Sequence, residues 1–329
     1  MTLNFELPKL ISELKKRKPK KVLIQLPEGV KQNVSEIVEE IEKLGIGVIV
    51  SGETCWGGCS VSVDEAKNVE ADLIIHFGHA EFTKINFPVL YVEIKDELDL
   101  IPLLKKSLVS LKKFKTIGLS YSVQHKWDIS NVVEFYEKNG KKIILSKKQG
   151  HAFYEGQVIG CEYSGLKLIQ DKIDAFVIIG NKFHSLGAAL ALPSKKVFLL
   201  DVYNDEVSEM SEFKDKIMKQ RIISIEKFKE AKNVGIIVET KVGQKFGSPE
   251  ILISKLKKAN KKTILISISE ISPDKLMNFY HLDAFVELAC PRIAVDDFAK
   301  YSKPLLTFRE VLVALGEVSW NDFLENGMI

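Results

Sequence analysis

The sequence predicts an α/β protein of three repeated Rossmann-like domains, each with a parallel sheet of roughly four strands flanked by helices, set around a pseudo-threefold axis. Three observations predict it. Short apolar runs alternate with stretches of helical periodicity, the pattern of βαβ units. The runs "VLIQL", "LIIHF" and "FVIIG" are nearly continuous, as in strands covered on both faces. A set of phrases also recurs three times in the same order, at intervals of about 100 residues, too long for a solenoid and right for a small domain.

The elements follow from those phrases. A basic helix end runs into a first strand as "KPKKVLIQLP", "KKFKTIGLSYS" and "EAKNVGIIVET". A later strand opens on an aspartate, Asp72, Asp174 or Asp283, and a closing strand reads "PVLYVEI", "KVFLLDV" or "KPLLTFREV". In the first unit the spacing predicts strands at 21–27, 46–51, 72–78 and 89–94, with helices at 29–44 and 61–69. The second unit repeats the strands at 116–122, 142–146, 174–180 and 197–202, and the third at 234–240, 263–268, 283–289 and 304–308. Acidic, polar stretches near Asp96 and Asn204 place the domains at 1–95, 96–204 and 205–329.

Composition excludes several classes. A chain of 329 residues, 46% hydrophobic and 28% charged, is folded, with enough apolar side chain for two or three cores. A net charge of +3 lacks the basic excess of a dedicated nucleic-acid binder, so no direct nucleic-acid partner is expected. The lysine runs "KKRKPKK", "KKSLVSLKKFK" and "KLKKANKK" read as helix C-termini offering cations to backbone carbonyls. No signal-peptide pattern and no run of about 18 apolar residues occurs, so a cytoplasmic protein without a membrane partner is expected. No Walker loop, G-x-G-x-x-G, C-x-x-C or H-E-x-x-H is present.

The four cysteines carry the chemistry. In reducing cytosol they are free for metal or redox work and form no disulfide frame. Cys59 follows the second strand of unit one, Cys161 the second strand of unit two, and Cys290 the third strand of unit three. These are the carboxyl ends of parallel strands, where α/β folds gather functional groups. A lone free cysteine is ordinarily a small core residue. Here glycine or proline flanks the thiols in "CWGGCS", "GCEYSG" and "ACPRIAVDD", as loops that pack closely on a cofactor require. Three thiolates without a histidine-rich companion suit an iron–sulfur cluster better than zinc, although Cys55, in C-x-x-x-C spacing with Cys59, leaves a four-cysteine zinc site open. Around them, Gly29 in "PEGV" and Gln244 in "KVGQKFG" lie on loops after first strands, and Arg292 has the fork to hold a carboxylate or to pair with Asp296 and Asp297. His79 and His184 read as polar loop residues.

The segments "ETCWGGCSVSVDEA", "GQVIGCEYSG" and "ELACPRIAVDDF", with "QLPEGV" and "KVGQKFGSPE", together resemble the archaeal first-step diphthamide biosynthesis enzymes, a noncanonical radical S-adenosylmethionine family. The resemblance runs in order through nearly the whole chain. It departs at Trp56, where tyrosine is common, and at Ser60, where aspartate often follows the cysteine. It implies three α/β domains each giving one cysteine, Cys59, Cys161 and Cys290, to a 4Fe-4S cluster with one open iron, whereas Cys55 matches a cysteine that is not a ligand. It implies reductive cleavage of the γ-carbon–sulfur bond of S-adenosylmethionine. The 3-amino-3-carboxypropyl group would pass to C2 of a histidine of translation elongation factor 2, releasing methylthioadenosine. A homodimer and an electron donor are implied as partners, and Gly29, Gln244 and Arg292 are the candidate contacts to S-adenosylmethionine. The competing readings are a quinolinate synthase-like 4Fe-4S dehydratase and a non-catalytic binding module stabilised by zinc.

Overall fold

The computed structural model describes residues 3–329, and its sheets repeat one strand order three times. In the first part of the chain, β1 (Leu3–Asn4), β2 (Lys21–Gln25), β3 (Gly47–Val50), β4 (Leu73–Phe77), β5 (Val89–Val92) and β6 (Lys95–Asp96) form a four-stranded sheet in the order β3-β2-β4-β5 and a small antiparallel pair, β1 with β6. In the second, β7 (Thr116–Tyr121), β8 (Lys142–Leu145), β9 (Ala175–Ile179), β10 (Lys196–Asp201) and β11 (Glu206–Glu209) are ordered β11-β10-β9-β7-β8. In the third, β12 (Asn233–Glu239), β13 (Lys262–Ile268), β14 (Ala284–Glu287) and β15 (Leu305–Thr307) are ordered β13-β12-β14-β15. Within each four-strand set every pairing is parallel.

Central strands are buried on both faces, with alternate residues entering different cores. Val22, Ile24, Leu73 and Ile75 meet the helices Leu7–Arg17 and Val34–Glu42, whereas Leu23 and Ile74 meet Val61, Val63 and Ala66 on the other side. The same division recurs at β9, with Ala175, Val177 and Ile179 on one side and Phe176 and Ile178 on the other. The first residues of β3, β8 and β13, at the sheet edges, are exposed, and there the continuous apolar pattern breaks.

The repeated aspartate has one structural task. Asp72 accepts hydrogen bonds from the amides of Lys20 (2.7 Å) and Lys21 (3.0 Å), Asp174 from Lys115 (2.8 Å) and Thr116 (2.9 Å), and Asp283 from Lys232 (2.9 Å) and Asn233 (2.7 Å). Each carboxylate thus pins the start of its unit's first strand. These amides favour the charged form and hold all three carboxyls below the usual aspartate range. A depressed folded-state pKa gives stability that is present above the unfolded value of about 3.9 and is lost as pH falls through the folded value. The triple replacement Asp72→Asn, Asp174→Asn, Asp283→Asn should therefore lower the thermal midpoint at pH 6. Scans at falling pH should show that difference shrinking below about pH 4.

Lysines cap helix ends, among them Lys261 of the run "KLKKANKK". Lys141 Nζ reaches the carbonyls of Leu111 (2.6 Å) and Phe114 (2.7 Å), and Lys261 Nζ those of Lys229 and Ala231. Two elements depart from expectation. The helix expected over 29–44 begins as a 3₁₀ turn, Glu28–Asn33, and becomes α-helical only at Val34. Strand β11 lies past the boundary expected after Asn204 and completes the second sheet, because Asp201 turns the chain back by accepting the amides of Tyr203 and Asn204. The chain end also returns to the second sheet's core, where Phe323 and Met328 are buried and the Met328 amide bonds the Leu190 carbonyl (2.9 Å). No helix of the described residues is long and apolar enough to cross a membrane.

Candidate metal centre

All four cysteines are free thiols. Cys59 sits in the loop after β3, Cys161 in the loop after β8, and Cys290 after β14, where it precedes the helix Pro291–Asp296. The fold brings these three together. Burial is the main cause that raises each thiol, Cys290 to about 12 and Cys161 well above the ordinary range, and the charges of Cys290 and Cys59 act on Cys161. Three thiols from three sheets that repel one another as thiolates form a donor set for a group of compensating positive charge.

Backbone contacts set their positions. The Gly243 amide donates to the Cys59 carbonyl (2.9 Å), and a Cβ on Gly243 would lie 2.6 Å from the Cys59 Cα, so only glycine permits this approach of the third unit to the first. The next residue, Gln244, is 3% exposed and donates from Nε2 to Cys59 Sγ at 3.5 Å, leaving its Oε1 without a partner among the described residues. Gln244 therefore reaches a cysteine of the centre. Lys241 Nζ and Glu239 Oε2 make no hydrogen bond among the described residues but face each other as an ion pair at 3.9 Å, with Lys241 favouring the Cys59 thiolate and Glu239 opposing it.

Of the two readings of Arg292, a carboxylate contact or a pair with Asp296 and Asp297, the structure shows the pair with Asp296. Arg292 is buried, forks onto Asp296 (Nη2 to Oδ2 2.6 Å, Nε to Oδ1 3.2 Å), and donates from Nη1 to the carbonyls of Gly160 and Phe183, both at 2.7 Å. Its guanidinium also lies over the Phe183 ring at 3.9 Å. Arg292 is thus a clasp between the helix after Cys290 and the loop before Cys161. Asp297 pairs instead with Lys300. Gly29 is exposed in the turn after β2, and a Cβ there would meet nothing, so no close approach requires it.

Of the histidines expected in polar loops, His79 lies in the loop after β4, whereas His184 lies in the helix Lys182–Ala191. His76 is fully buried on β4, and His79 and His184 are half-buried, with burial pushing His79 down to about 4 and His184 to about 3, so both are neutral at pH 7. Sequence reasoning passed over His76, Glu239, Lys241 and Glu287, which lie in the last two residues of parallel strands or just past them. Glu287 is the last residue of β14, and burial lifts its carboxyl to about 8 although the Ala289 amide donates to it at 2.8 Å. The readable signal was their place at strand ends, above all the histidine pair in "LIIHFGHA".

The sequence profile of a family described as "Putative diphthamide synthesis protein" matches residues 26–324. The chain belongs to the diphthamide synthesis family. It is 32% identical over 94% of its length, and 91% of the other chain, to a 2-(3-amino-3-carboxypropyl)histidine synthase of Pyrococcus horikoshii. Subunit 1 of the human synthase is 29% identical over 96% of this chain and 73% of its own. The crystal structure of Dph2 from Pyrococcus horikoshii with a 4Fe-4S cluster superposes with a TM-score of 0.89 at 30% identity, covering 99% of this chain and 95% of that one. This family membership displaces the quinolinate synthase-like reading.

Proposed function

We propose that the protein is a 2-(3-amino-3-carboxypropyl)histidine synthase. In this reading Cys59, Cys161 and Cys290 hold a 4Fe-4S cluster between three units related by a pseudo-threefold axis. The observation that supports it most is the convergence of three thiols from three sheets in a chain similar over nearly its full length to a Dph2 that carries that cluster. When bound, the cluster supplies the electron that cleaves the γ-carbon–sulfur bond of S-adenosylmethionine.

The chain's own residues supply position and polarity. Gln244 donates to a ligand sulfur, which tunes a cluster's potential. Lys241 Nζ, paired only loosely with Glu239 at 3.9 Å, and Gln244 Oε1, with no hydrogen-bond partner among the described residues, match the carboxylate and ammonium of an amino-acid group, a role Arg292 is not free to take. Burial raises the Glu287 carboxyl to about 8, which limits the negative charge it sets against the Cys290 thiolate, whose own titration the charged form of Glu287 raises. Holding the sulfonium in one orientation decides which of its three carbon bonds breaks. The acceptor is a histidine of translation elongation factor 2, and the enzyme acts in the cytoplasm as a homodimer supplied by an electron donor.

Anaerobic incubation with S-adenosylmethionine, dithionite and archaeal elongation factor 2 should release methylthioadenosine and add the mass of the aminocarboxypropyl group to the factor. Chromatography showing 5′-deoxyadenosine as the main nucleoside would overturn the proposal.

A further inference from the structure

Cys55 plays no part in the three-cysteine centre as proposed, yet it is buried beside two histidines. Its Sγ lies 4.0 Å from His76 Nε2, which lies 3.0 Å from His79 Nδ1, and one ligand atom of each residue falls within 4.8 Å of the others. We propose that Cys55, His76 and His79 bind a single Zn²⁺ ion, separate from the cluster, with water completing the coordination.

The hydrogen bonds behind His76 support this. Gln25 Nε2 donates to the Ser60 carbonyl (2.8 Å) and lies 3.0 Å from Ser62 Oγ, while Gln25 Oε1 accepts the Ser62 amide (3.2 Å). That network fixes the amide's orientation. His76 Nδ1, 3.0 Å from the same Oε1, must then carry the proton, so Nε2 turns a lone pair toward Cys55 and His79. A carbonyl oxygen that fixes the tautomer of a histidine is the usual support of a metal ligand.

Two of the three separations fit as well, and the third lies within 4.8 Å. Tetrahedral zinc with Zn–N of about 2.0–2.1 Å and Zn–S of about 2.3 Å separates two nitrogens by about 3.3 Å and nitrogen from sulfur by about 3.6 Å. The distances here, 3.0 and 4.0 Å, differ from those by a few tenths of an ångström. One thiolate with two imidazoles is a donor set for zinc and not for calcium or magnesium. The half-buried His79 leaves a side open to water. An ion here would tie the end of β4 to the loop that carries Cys59, through the glycines Gly57 and Gly58.

The test is a separate assay of iron and zinc in the reconstituted full chain by elemental analysis. One zinc per chain beyond the cluster iron is expected, with at least a tenfold loss of zinc and unchanged iron in Cys55→Ser and in His79→Asn. As a second measurement, the full chain carrying Cys59→Ser, Cys161→Ser and Cys290→Ser is titrated with Co²⁺. A thiolate-to-cobalt charge-transfer band is expected, and it should vanish when Cys55→Ser is added. No zinc together with no cobalt band would overturn the proposal, as would zinc retained in both single variants. Iron lost along with zinc in Cys55→Ser would also overturn it, because Cys55 would then serve the three-cysteine centre. Since iron and nucleoside product are read independently, failure here leaves the synthase reading standing.

Discussion

Replacing Cys59, Cys161 or Cys290 by alanine, one at a time, should strip the protein of most of its iron and abolish methylthioadenosine formation. Each residue supplies one of three thiolates, and each comes from a different sheet, so no neighbouring thiol of the same loop can substitute for Cys161 or Cys290. Losing a partner that merely supports a metal ligand costs roughly 10–100-fold in affinity, and losing a ligand should cost more. Cys55→Ala should keep its iron, since Cys55 Sγ lies against His76. Iron and sulfide assays on anaerobically reconstituted variants decide the matter: equal iron loss in Cys55→Ala and Cys59→Ala would refute the ligand assignment.

Arg221→Met should destabilise the third unit by about 3–5 kcal/mol, the range for removing one partner of a buried ion pair. Arg221 lies on the long helix Ser211–Glu230, with its side chain fully buried against Glu310, itself 1% exposed. It donates to both carboxylate oxygens, at 2.6 and 2.7 Å, and to the carbonyls of Ala294 and Leu305, each at 2.7 Å. Without the guanidinium, Glu310 remains buried and uncompensated, although the Thr307 amide still donates to it in the capping box of the helix Phe308–Ala314. Because Ala294 belongs to the helix that follows Cys290, the loss should loosen the metal centre as well. Denaturant titration checks the magnitude. The double replacement Arg221→Met, Glu310→Met should recover much of the stability, since it removes the orphaned charge as well as the pair.

Much of the fold was legible because its signals are local. Apolar runs buried on both faces marked the central strands, and the three aspartates that open later strands proved to hold the first strands of their units. β11 was less legible. "EVSE" carries no apolar run, and its strand form rests on pairing with β10 after a turn made by Asp201. The candidate ligands were readable from cysteines placed after strand ends, a position that topology makes functional. Partners across units were not readable, since Arg292 meets Gly160 and Phe183 from 132 and 109 residues away.

The sequence by itself determined the α/β units, their order along the chain and the placement of the three candidate cysteines after strand ends, because hydrophobic period and loop residues act over a few positions. The tertiary structure alone decided that Arg292 joins the helix after Cys290 to the loop before Cys161, that Gln244 reaches Cys59, and that Cys55 lies against His76 and His79. Those outcomes depend on which buried polar groups find partners once three sheets pack together. A buried donor or acceptor takes whatever partner the packing presents, and no local period of the chain encodes that choice.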